Sequence, residues 1–188
     1  LEDNESFHCD IACILNISED HLDRYPSLDS YMSAKENILR TQEKSGIAVL
    51  NADSEYFERQ KKLVKGKLVV FSRCKNIFNA IIDNNNIIYN KEHICPINNI
   101  RIKGVHNLEN ALCAVAVAKE LKVSNAKIKS SLEEFPGLEH RNEFTACING
   151  IDFINDSKAT TVNAVRKAVE SQEKPIILLL GGRDKGLD

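Results

Sequence analysis

The sequence has almost no net charge and no long apolar segment. Its 27 acidic and 25 basic residues leave a formal net charge of −2, so the molecule as a whole has no electrostatic field that would attract nucleic acid or an anionic membrane. No apolar run approaches the roughly 20 residues that a membrane-spanning helix needs, and the start of the chain has no signal-peptide pattern. We therefore predict a cytoplasmic globular protein in which any phosphate-bearing ligand is held by local groups.

Several common cysteine and glycine motifs are also absent. None of the six cysteines forms a CxxC pair, and several of them lie inside apolar runs. We therefore predict reduced cysteines in a protein core instead of a disulfide framework. The patterns GxxxxGK[ST] and GxGxxG do not occur, so these 188 residues contain neither of those phosphate-binding loops.

The first half of the chain alternates apolar runs with helical patterns. The run ACILNI over residues 12–17 predicts a strand, and the apolar spacing that follows Ser27 predicts a helix with Ser27 as its N-cap. The runs in GIAVLNAD and KLVVFS predict two further buried strands, and the charged residues 54–65 between them predict a helix. This alternation of strand and helix indicates an α/β fold with a mostly parallel sheet.

Residues 76–104 have a different pattern. Their short apolar runs are separated by asparagine clusters and by Pro96, which predicts antiparallel hairpins in a small β insert. Residues 107–121 are rich in alanine and apolar on nearly every side, which predicts a buried helix with Asn107 near its start. Ser124 is predicted to cap a further helix, which ends at Pro136-Gly137.

The helix-breaking residues Pro136-Gly137 mark the predicted domain boundary, with one domain over residues 1–137 and another over residues 138–188. In the second domain, Asn149-Gly150 lies between EFTACI and IDFI and predicts a tight hairpin turn. Residues 160–171 predict a helix. The run PIILLL predicts a strand of a parallel sheet that is covered on both faces.

Polar clusters follow three of the predicted strands. SEDHLDR follows ACILNI, NDSKATT follows IDFI, and GGRDKGLD follows PIILLL. Ligands of open α/β sheets bind at the carboxyl ends of strands, so these positions favour a functional interpretation. Two further clusters, GVHNLEN and GLEHRNE, lie at the start of the alanine-rich helix and just after the domain boundary.

Each cluster also has an ordinary structural interpretation. The acids of SEDHLDR are favourable near the start of a helix, although with His21 they could also hold a divalent ion. Asn107 is a plausible helix cap, although its amide and that of Asn110 lie on one helix face and could contact a base edge. Arg141 could pair with Glu139 or Glu143 on the surface, or bind phosphate through both arms of its guanidinium.

Six segments, taken in order, carry a family resemblance: ILNISEDHLDRY, SAK, GVHNLENALCA, FPGLEHRNE, FINDSKATT and LLLGGRDKGLD. Together they resemble the Mur ligases of peptidoglycan synthesis, and within that family the D-glutamate-adding branch. The resemblance implies that residues 1–137 are the later part of a central ATP-binding domain, and that residues 138–188 begin a Rossmann-like C-terminal domain. It also implies that the N-terminal domain, the P-loop and the end of the C-terminal domain lie outside these residues.

The resemblance further implies an enzyme of cell-wall synthesis, and hence of cell shape and division. The expected reaction is ATP-dependent ligation of D-glutamate to UDP-N-acetylmuramoyl-L-alanine through an acyl phosphate, with ATP and Mg²⁺ as cofactors. A monomer without a nucleic-acid or membrane partner is expected. Because no GxxxxGK[ST] loop is present, these 188 residues alone are expected not to turn over ATP.

Catalytic roles are implied for three residues. His21 matches a metal-ligand histidine of the family, and Lys35 matches a lysine that the family carbamylates, which converts a cation into an oxygen ligand for Mg²⁺. Lys158 matches a lysine near the reacting groups. From its own surroundings in the sequence, Lys35 would be interpreted only as a solvated helix lysine.

Binding roles are implied for six residues. Asn110 matches an adenine-contacting asparagine, while Asn107 is expected to cap the helix. Arg141 and Asp156 match a pair that contacts the nucleotide from the C-terminal domain. The residues implied in binding D-glutamate are Thr160, Lys185 and Lys158.

Three alternatives remain open from the sequence. The chain could belong to a sibling Mur ligase or to a ligase similar to folylpolyglutamate synthase, and the dependence of phosphate release on D-glutamate would separate these. It could also be a non-catalytic fragment that at most binds nucleotide. We predict that Asn155, Ser157 and Thr161, which receive no ligand role, make turn and helix-cap hydrogen bonds.

Overall fold

The computed structural model describes residues 7–18, 24–172 and 174–182. Its largest element is a six-stranded sheet in which the strands follow one another in chain order. The first four strands are parallel neighbours and the last two pairings are antiparallel, so the predicted α/β class is confirmed. The strands are β1 (Ile11–Ile14), β2 (Ile47–Asn51), β3 (Lys67–Ser72), β4 (Ala80–Asp83), β5 (Asn86–Tyr89) and β6 (Glu92–Pro96).

Helix α1 (Leu28–Arg40) begins where the sequence predicts. Ser27 Oγ accepts a hydrogen bond of 3.2 Å from the Ser30 backbone N–H, and Ser30 Oγ accepts one of 3.1 Å from the Ser27 N–H. This reciprocal pair satisfies two backbone donors that a helix start leaves without partners. The prediction that Ser27 is the N-cap is confirmed.

Three predicted elements are shorter in the structure, one of them the helix predicted over residues 160–171, which covers Val162–Glu170. The first strand covers Ile11–Ile14 instead of residues 12–17, and helix α2 covers only Phe57–Lys61 instead of residues 54–65. Ser54 belongs to a turn, because its side chain and its carbonyl accept bonds from Tyr56 N and Phe57 N. Side chain acceptors of this kind compete with helix formation.

The asparagine-rich segment forms the predicted antiparallel hairpins, and these extend the main sheet. Strand β4 pairs with β3 at Phe71 and Ala80, so the hairpins are continuous with the parallel strands. The two-residue turns use left-handed backbone, with φ of 44° and 60° at Asn84 and Asn85. Asparagine tolerates this conformation and it suits the twist of a hairpin, which explains the repeated asparagines.

Helix α3 (Val105–Glu120) packs its alanine-rich surface on the sheet. Leu112 and Val115 are fully buried in one cluster with Val69 and Phe71 of β3. The predicted cap is wrong, because Gly104 is the N-cap and Asn107 lies inside the first turn. Gly104 has a φ of 102°, which glycine adopts without strain, and this conformation places the N-cap three residues before Asn107.

Helix α4 (Asn125–Glu134) follows α3 and ends before Pro136. Ser124 is its N-cap residue, as predicted, but its side chain makes no capping hydrogen bond. Gly137 then adopts a φ of 93°, which lets the chain turn away. Of the helices that the structure describes, none combines the length and the hydropathy required to cross a membrane.

Residues 138–182 form a hairpin and a helix. Strands β7 (Glu143–Ile148) and β8 (Ile151–Asn155) are antiparallel, and the turn between them has φ values of 50° at Asn149 and 79° at Gly150. The predicted hairpin is thus confirmed. Helix α5 (Val162–Glu170) starts at Thr161, whose Oγ1 accepts a hydrogen bond from Ala164 N.

The predicted strand PIILLL is not a strand in the structure. Residues 175–180 have no regular secondary structure, and Ile177 and Leu179 are 91% and 90% exposed. A strand needs a hydrogen-bonded neighbour, and the described residues place none beside this run. The apolar composition therefore did not suffice to predict burial.

The prediction that the cysteines lie in a core is correct for only part of the set. Cys95 and Cys113 are buried, Cys9 and Cys13 are half-buried, and Cys74 and Cys147 are exposed. All six are free thiols. Cys74 and Cys147 lie in a loop and on the hairpin, where no second layer covers them.

Candidate nucleotide and amino-acid site

The start of helix α3 lies against residues 138–182. A Cβ added to Gly104 would lie 3.2 Å from Ser171 Cβ, which shows how closely the two segments approach. Burial and the positive charge of Lys167 lower the pKa of His106, while the negative charge of Asp156 opposes this shift. His106, in the first turn of α3, thus lies near the charged groups of residues 138–182.

A backbone hydrogen bond joins the segment of Arg141 to Asp156. Asp156 Oδ1 accepts a hydrogen bond of 3.0 Å from the N–H of Asn142, the residue after Arg141. Asn142 Nδ2 also donates to Ser171 Oγ over 3.3 Å, and Ser171 is the residue that a Cβ on Gly104 would approach, so this segment lies near the start of α3. The structure therefore brings two of the predicted nucleotide-contacting residues to the helix that carries the third, Asn110.

The side chain of Arg141 is available to a ligand. Arg141 is exposed and forms no ion pair with any residue that the structure describes. Of the two glutamates considered as its partners, Glu143 instead lies 3.7 Å from His140 Nδ1. The surface salt bridge that competed with a phosphate-binding role is thus not found in the described part of the chain.

His140 links the loop of Arg141 to the NDSK segment, a role that the sequence did not reveal. Its carbonyl accepts a hydrogen bond of 3.0 Å from Lys158 N, and its Nδ1 lies 2.8 Å from Asn155 Nδ2. His140 has a φ of 63° and Asn142 one of 47°, a conformation that costs energy outside glycine. The surrounding hydrogen bonds hold this loop in shape.

The three polar residues of FINDSKATT that received no ligand role have mixed outcomes. Asn155 Oδ1 accepts a hydrogen bond of 3.1 Å from Ser157 N, and Thr161 caps α5. Those two bonds confirm the prediction of turn and cap hydrogen bonds for Asn155 and Thr161. Ser157 takes part through its backbone N–H.

Asn110 is exposed on α3 and is oriented by its neighbour. Its Nδ2 lies 3.4 Å from Asn107 Oδ1, and Asn107 Nδ2 in turn donates to the Lys103 carbonyl over 2.7 Å. The Asn110 oxygen accepts no hydrogen bond from a described residue. One face of this amide can therefore take a ligand that offers a donor, such as the amino group of a base.

Lys35 is exposed on α1, and its Nζ lies 5.2 Å from the centre of the Tyr31 ring. Within the described residues, no carboxylate pairs with this amine and no hydrogen bond connects it to Arg141 or Asp156. Lys158 and Thr160 are exposed on the loop after β8. The structure thus places Lys35 and this loop on separate elements.

Two predicted site residues, His21 and Lys185, lie outside the described residues. Among the residues that the structure does describe, no group of three or more histidine, cysteine or acidic side chains could hold a metal ion. Lys35 as a free amine supplies no oxygen ligand. The described residues therefore do not make a magnesium site by themselves.

The described groups are suited to binding an anionic ligand. Arg141 and Lys158 are exposed cations on two loops that backbone hydrogen bonds hold together, and Asp156 is a carboxylate whose position is fixed by a backbone N–H. Exposed guanidinium and ammonium groups that converge on one site can stabilise phosphate or carboxylate charge. Asp156 would be repelled by phosphate and is better suited to a hydroxyl donor.

Residues 2–118 match a family model described as the Mur ligase middle domain. A UDP-N-acetylmuramoylalanine--D-glutamate ligase of Koribacter versatilis is 41% identical over 191 residues, which cover 99% of this chain and 42% of that protein. The ligase of the same name from Bacillus subtilis is 37% identical, with 99% of this chain and 42% of that protein covered. The chain thus spans about two fifths of the length of these relatives.

Two solved structures have a similar fold. One is described as MurF from Acinetobacter baumannii, with a TM-score of 0.73, 22% identity and coverage of 87% of this chain and 38% of that one. The other is a pseudomurein peptide ligase type C from Methanothermus fervidus, with a TM-score of 0.70, 21% identity and coverage of 88% and 41%. At these identities the similarity is evidence for the fold alone.

Proposed function

We propose, because this chain belongs to the Mur ligase family, that the intact protein is an ATP-dependent ligase joining D-glutamate to UDP-N-acetylmuramoyl-L-alanine in peptidoglycan synthesis. The relatives named for this reaction match nearly the whole chain. The observation that carries the proposal is the position of Arg141 and Asp156 beside the start of α3, the helix that bears Asn110. The protein is proposed to act as a monomer in the cytoplasm.

The nucleotide is proposed to bind between α3 and the loop of residues 138–142. Asn110 presents its free amide oxygen to the adenine edge, and Arg141 binds the phosphates through its guanidinium. Asp156 accepts a hydrogen bond from a sugar hydroxyl, since phosphate would repel it. Because these groups come from two segments, the site is complete only when the segments are together.

The acyl transfer is proposed to depend on cations near the reacting groups. The substrate carboxylate must approach the terminal phosphate of ATP although both are anions, and a positive charge at Lys158 lowers this repulsion. The amine of D-glutamate then attacks the acyl phosphate. Thr160 and Lys185 are proposed to hold the carboxylates of D-glutamate by a hydrogen bond and an ion pair.

Magnesium enters this proposal through family membership. His21 and, once carbamylated, Lys35 would hold the ion, and bound Mg²⁺ would neutralise phosphate charge. Lys35 is exposed and has no carboxylate partner among the described residues, so its side chain is accessible to CO₂.

We further propose that residues 1–137 belong to the ATP-binding domain and residues 138–188 to the amino-acid-binding domain. The chain leaves α4 at Pro136 and turns at Gly137, where φ is 93°. The described buried hydrophobic residues all lie between Ala12 and Ile128. This distribution supports a boundary near Gly137.

The test is phosphate release by the intact protein with ATP, UDP-N-acetylmuramoyl-L-alanine and one amino acid at a time. D-glutamate is expected to support release, while L-lysine, diaminopimelate and L-glutamate are not. Full activity with one of those three would instead identify a sibling ligase or a folylpolyglutamate synthase-like enzyme. The 188-residue chain alone, which lacks a GxxxxGK[ST] loop, is expected to release no phosphate and serves as the matched control.

A further inference from the structure

Among the described residues, Glu36 of α1 is the one charged residue that is buried. It is fully inaccessible and is bound by two guanidinium groups. Arg40 NH2 lies 3.0 Å from Glu36 Oε2, and Arg59 Nε lies 3.0 Å from Oε1 while its N–H points at Oε2, 3.1 Å away. Arg59 NH2 also donates to Oε2 over 3.0 Å.

Arg59 contacts α1 over two turns, from the neighbouring helix α2. Besides Glu36, it binds the hydroxyl of Ser33 over 3.0 Å and the carboxylate of Asp29. Residues 29, 33 and 36 have the spacing of one helix face. A single rigid guanidinium that binds all three restricts rotation of α1 about its axis and sliding along it.

Lys35 is the neighbour of Glu36 in the chain, about 100° away around the helix. Its amine is exposed on the side of α1 where it lies 5.2 Å from the Tyr31 ring. A rotation of α1 by about 20° would move a group at the outer radius of the helix by roughly 2 Å. Misplacements of about 1 Å can cost about a hundredfold in rate.

The chemistry of the Glu36–Arg59 ion pair indicates that it positions α1 in addition to any effect on stability. A buried ion pair can be replaced by well-packed apolar residues of similar volume without loss of stability. Apolar packing lacks the directional fork through which arginine binds two or more acceptors in fixed geometry. Orientation is therefore the property that this arrangement supplies and an apolar pair does not.

We propose that Arg59, through Glu36, is a positioning residue that sets the orientation of α1 and so places the amine of Lys35 for carbamylation. The inference rests on the proposed function for the modification itself. In that step the neutral Lys35 amine adds to the carbon of CO₂, a carbon–nitrogen bond forms, and the amine proton goes to water. The carbamate oxygens then carry the negative charge.

The experiment uses the intact protein and separates orientation from stability. The double variant Glu36→Leu with Arg59→Met replaces the ion pair by apolar side chains, and Arg59→Lys keeps the charge but loses the fork. Lys67→Met is the matched control, because Lys67 binds Glu120 over 2.6 Å far along the chain from α1. The measurements are the thermal midpoint, kcat and KM for D-glutamate, and the carbamate carbon signal after incubation with ¹³C-bicarbonate, with Lys35→Arg as the blank.

The double variant is expected to retain a thermal midpoint close to that of the wild type and an unchanged KM. Its kcat should fall by about tenfold or more, and its carbamate signal should fall with it. Arg59→Lys should lose part of its kcat and part of its carbamate signal. Lys67→Met should keep the wild-type values of both. Only a positioning role predicts that kcat and the carbamate signal fall while the thermal midpoint and KM stay unchanged.

Two results would overturn the inference. One is a double variant that keeps both the wild-type kcat and the wild-type carbamate signal. The other is a wild-type protein with no carbamate signal that disappears in Lys35→Arg. If the wild type carries the carbamate but D-glutamate does not support phosphate release, the proposed function is wrong, and the carbamate signals still decide the inference.

Discussion

The two regions of the chain contain similar apolar runs but bury them to different extents. In residues 7–135, Val69 and Phe71 of β3 are fully buried, with α3 on one face of the sheet and α1 and α2 on the other. In residues 138–182, Phe144 and Ile151 are 62% and 61% exposed on a two-stranded hairpin. Burial of an apolar strand thus depends on which elements cover it, and its composition alone does not decide it.

Polar groups also serve different purposes in the two regions. In the first, Glu36 ties α1 to α2 through Arg59, and Glu120 ties α3 to β3 through Lys67. In the second, the hydrogen bonds of His140 and Asp156 hold together two loops whose cations remain exposed. The first region is therefore expected to dominate stability, and the second to supply ligand contacts.

The largest expected difference comes from a matched pair of phenylalanine substitutions. Phe71→Ala empties a fully buried position and is expected to lower the free energy of unfolding by about 3–5 kcal/mol. Phe144→Ala acts on a largely exposed side chain and should change it by about 0.5 kcal/mol or less. Urea denaturation of the 188-residue chain measures both. Equal losses would show that the hairpin is as well packed as the sheet.

A pair of glycine substitutions should give a smaller contrast. A Cβ at Gly66 would lie 2.1 Å from the Gly46 carbonyl oxygen, a backbone atom that cannot move easily. Gly66→Ala should therefore cost about 1–3 kcal/mol or more. A Cβ at Gly150 meets nothing within 4 Å, and only its φ of 79° resists substitution, so Gly150→Ala should cost about 1 kcal/mol. A reversed order in denaturation midpoints would contradict the packing at Gly66.

The smallest expected contrast concerns acid sensitivity. Burial favours a raised pKa for Glu120, but hydrogen bonds from Lys67 and Tyr89 outweigh it and hold the pKa below its ordinary value of 4.5. This stabilisation is fully present above the ordinary pKa and is lost as the pH falls through the lower folded pKa. Glu120→Gln should therefore flatten the loss of stability between about pH 5 and about pH 3.

The matched control for acid sensitivity is Asp152→Asn. The ion pair with Lys174 lowers the pKa of Asp152 as well, but the pair lies on the exposed hairpin. Solvent screens such pairs, so this substitution should alter the pH profile less than Glu120→Gln does. Denaturation midpoints across the same pH range test the comparison, and a larger effect at Asp152 would contradict it.

The sequence predicted best those features that depend on nearby residues. The Ser27 capping box and the Asn149-Gly150 turn both follow from contacts within three residues. Contacts between distant residues left no such pattern. Arg59 and Glu36 are 23 residues apart, and Asn142 and Asp156 are 14 apart, so neither pairing could be predicted from local spacing.

The candidate site was predicted from the sequence chiefly through family resemblance. Residue type and spacing left Asn110, Arg141 and Asp156 with ordinary structural alternatives, and gave Lys35 no role at all. The run PIILLL shows the same limit of prediction from local sequence. Its composition indicates a buried strand, but its neighbours in space decide whether a strand forms. Information about long-range partners is what local patterns lack.

The most direct test of a nucleotide site shared by the two regions is ADP binding by the intact protein, measured by calorimetry. Arg141→Ala, in the second region, should weaken binding by about tenfold or more, since a lost hydrogen bond to a charged group is worth about 1.5–3 kcal/mol. Asn110→Ala, in the first region, should weaken it by about twofold to tenfold, since a hydrogen bond between neutral groups is worth about 0.5–1.5 kcal/mol. Glu139→Ala, beside Arg141 in the chain, should bind ADP as the wild type does. Wild-type affinity in Arg141→Ala would contradict a nucleotide site shared by the two regions.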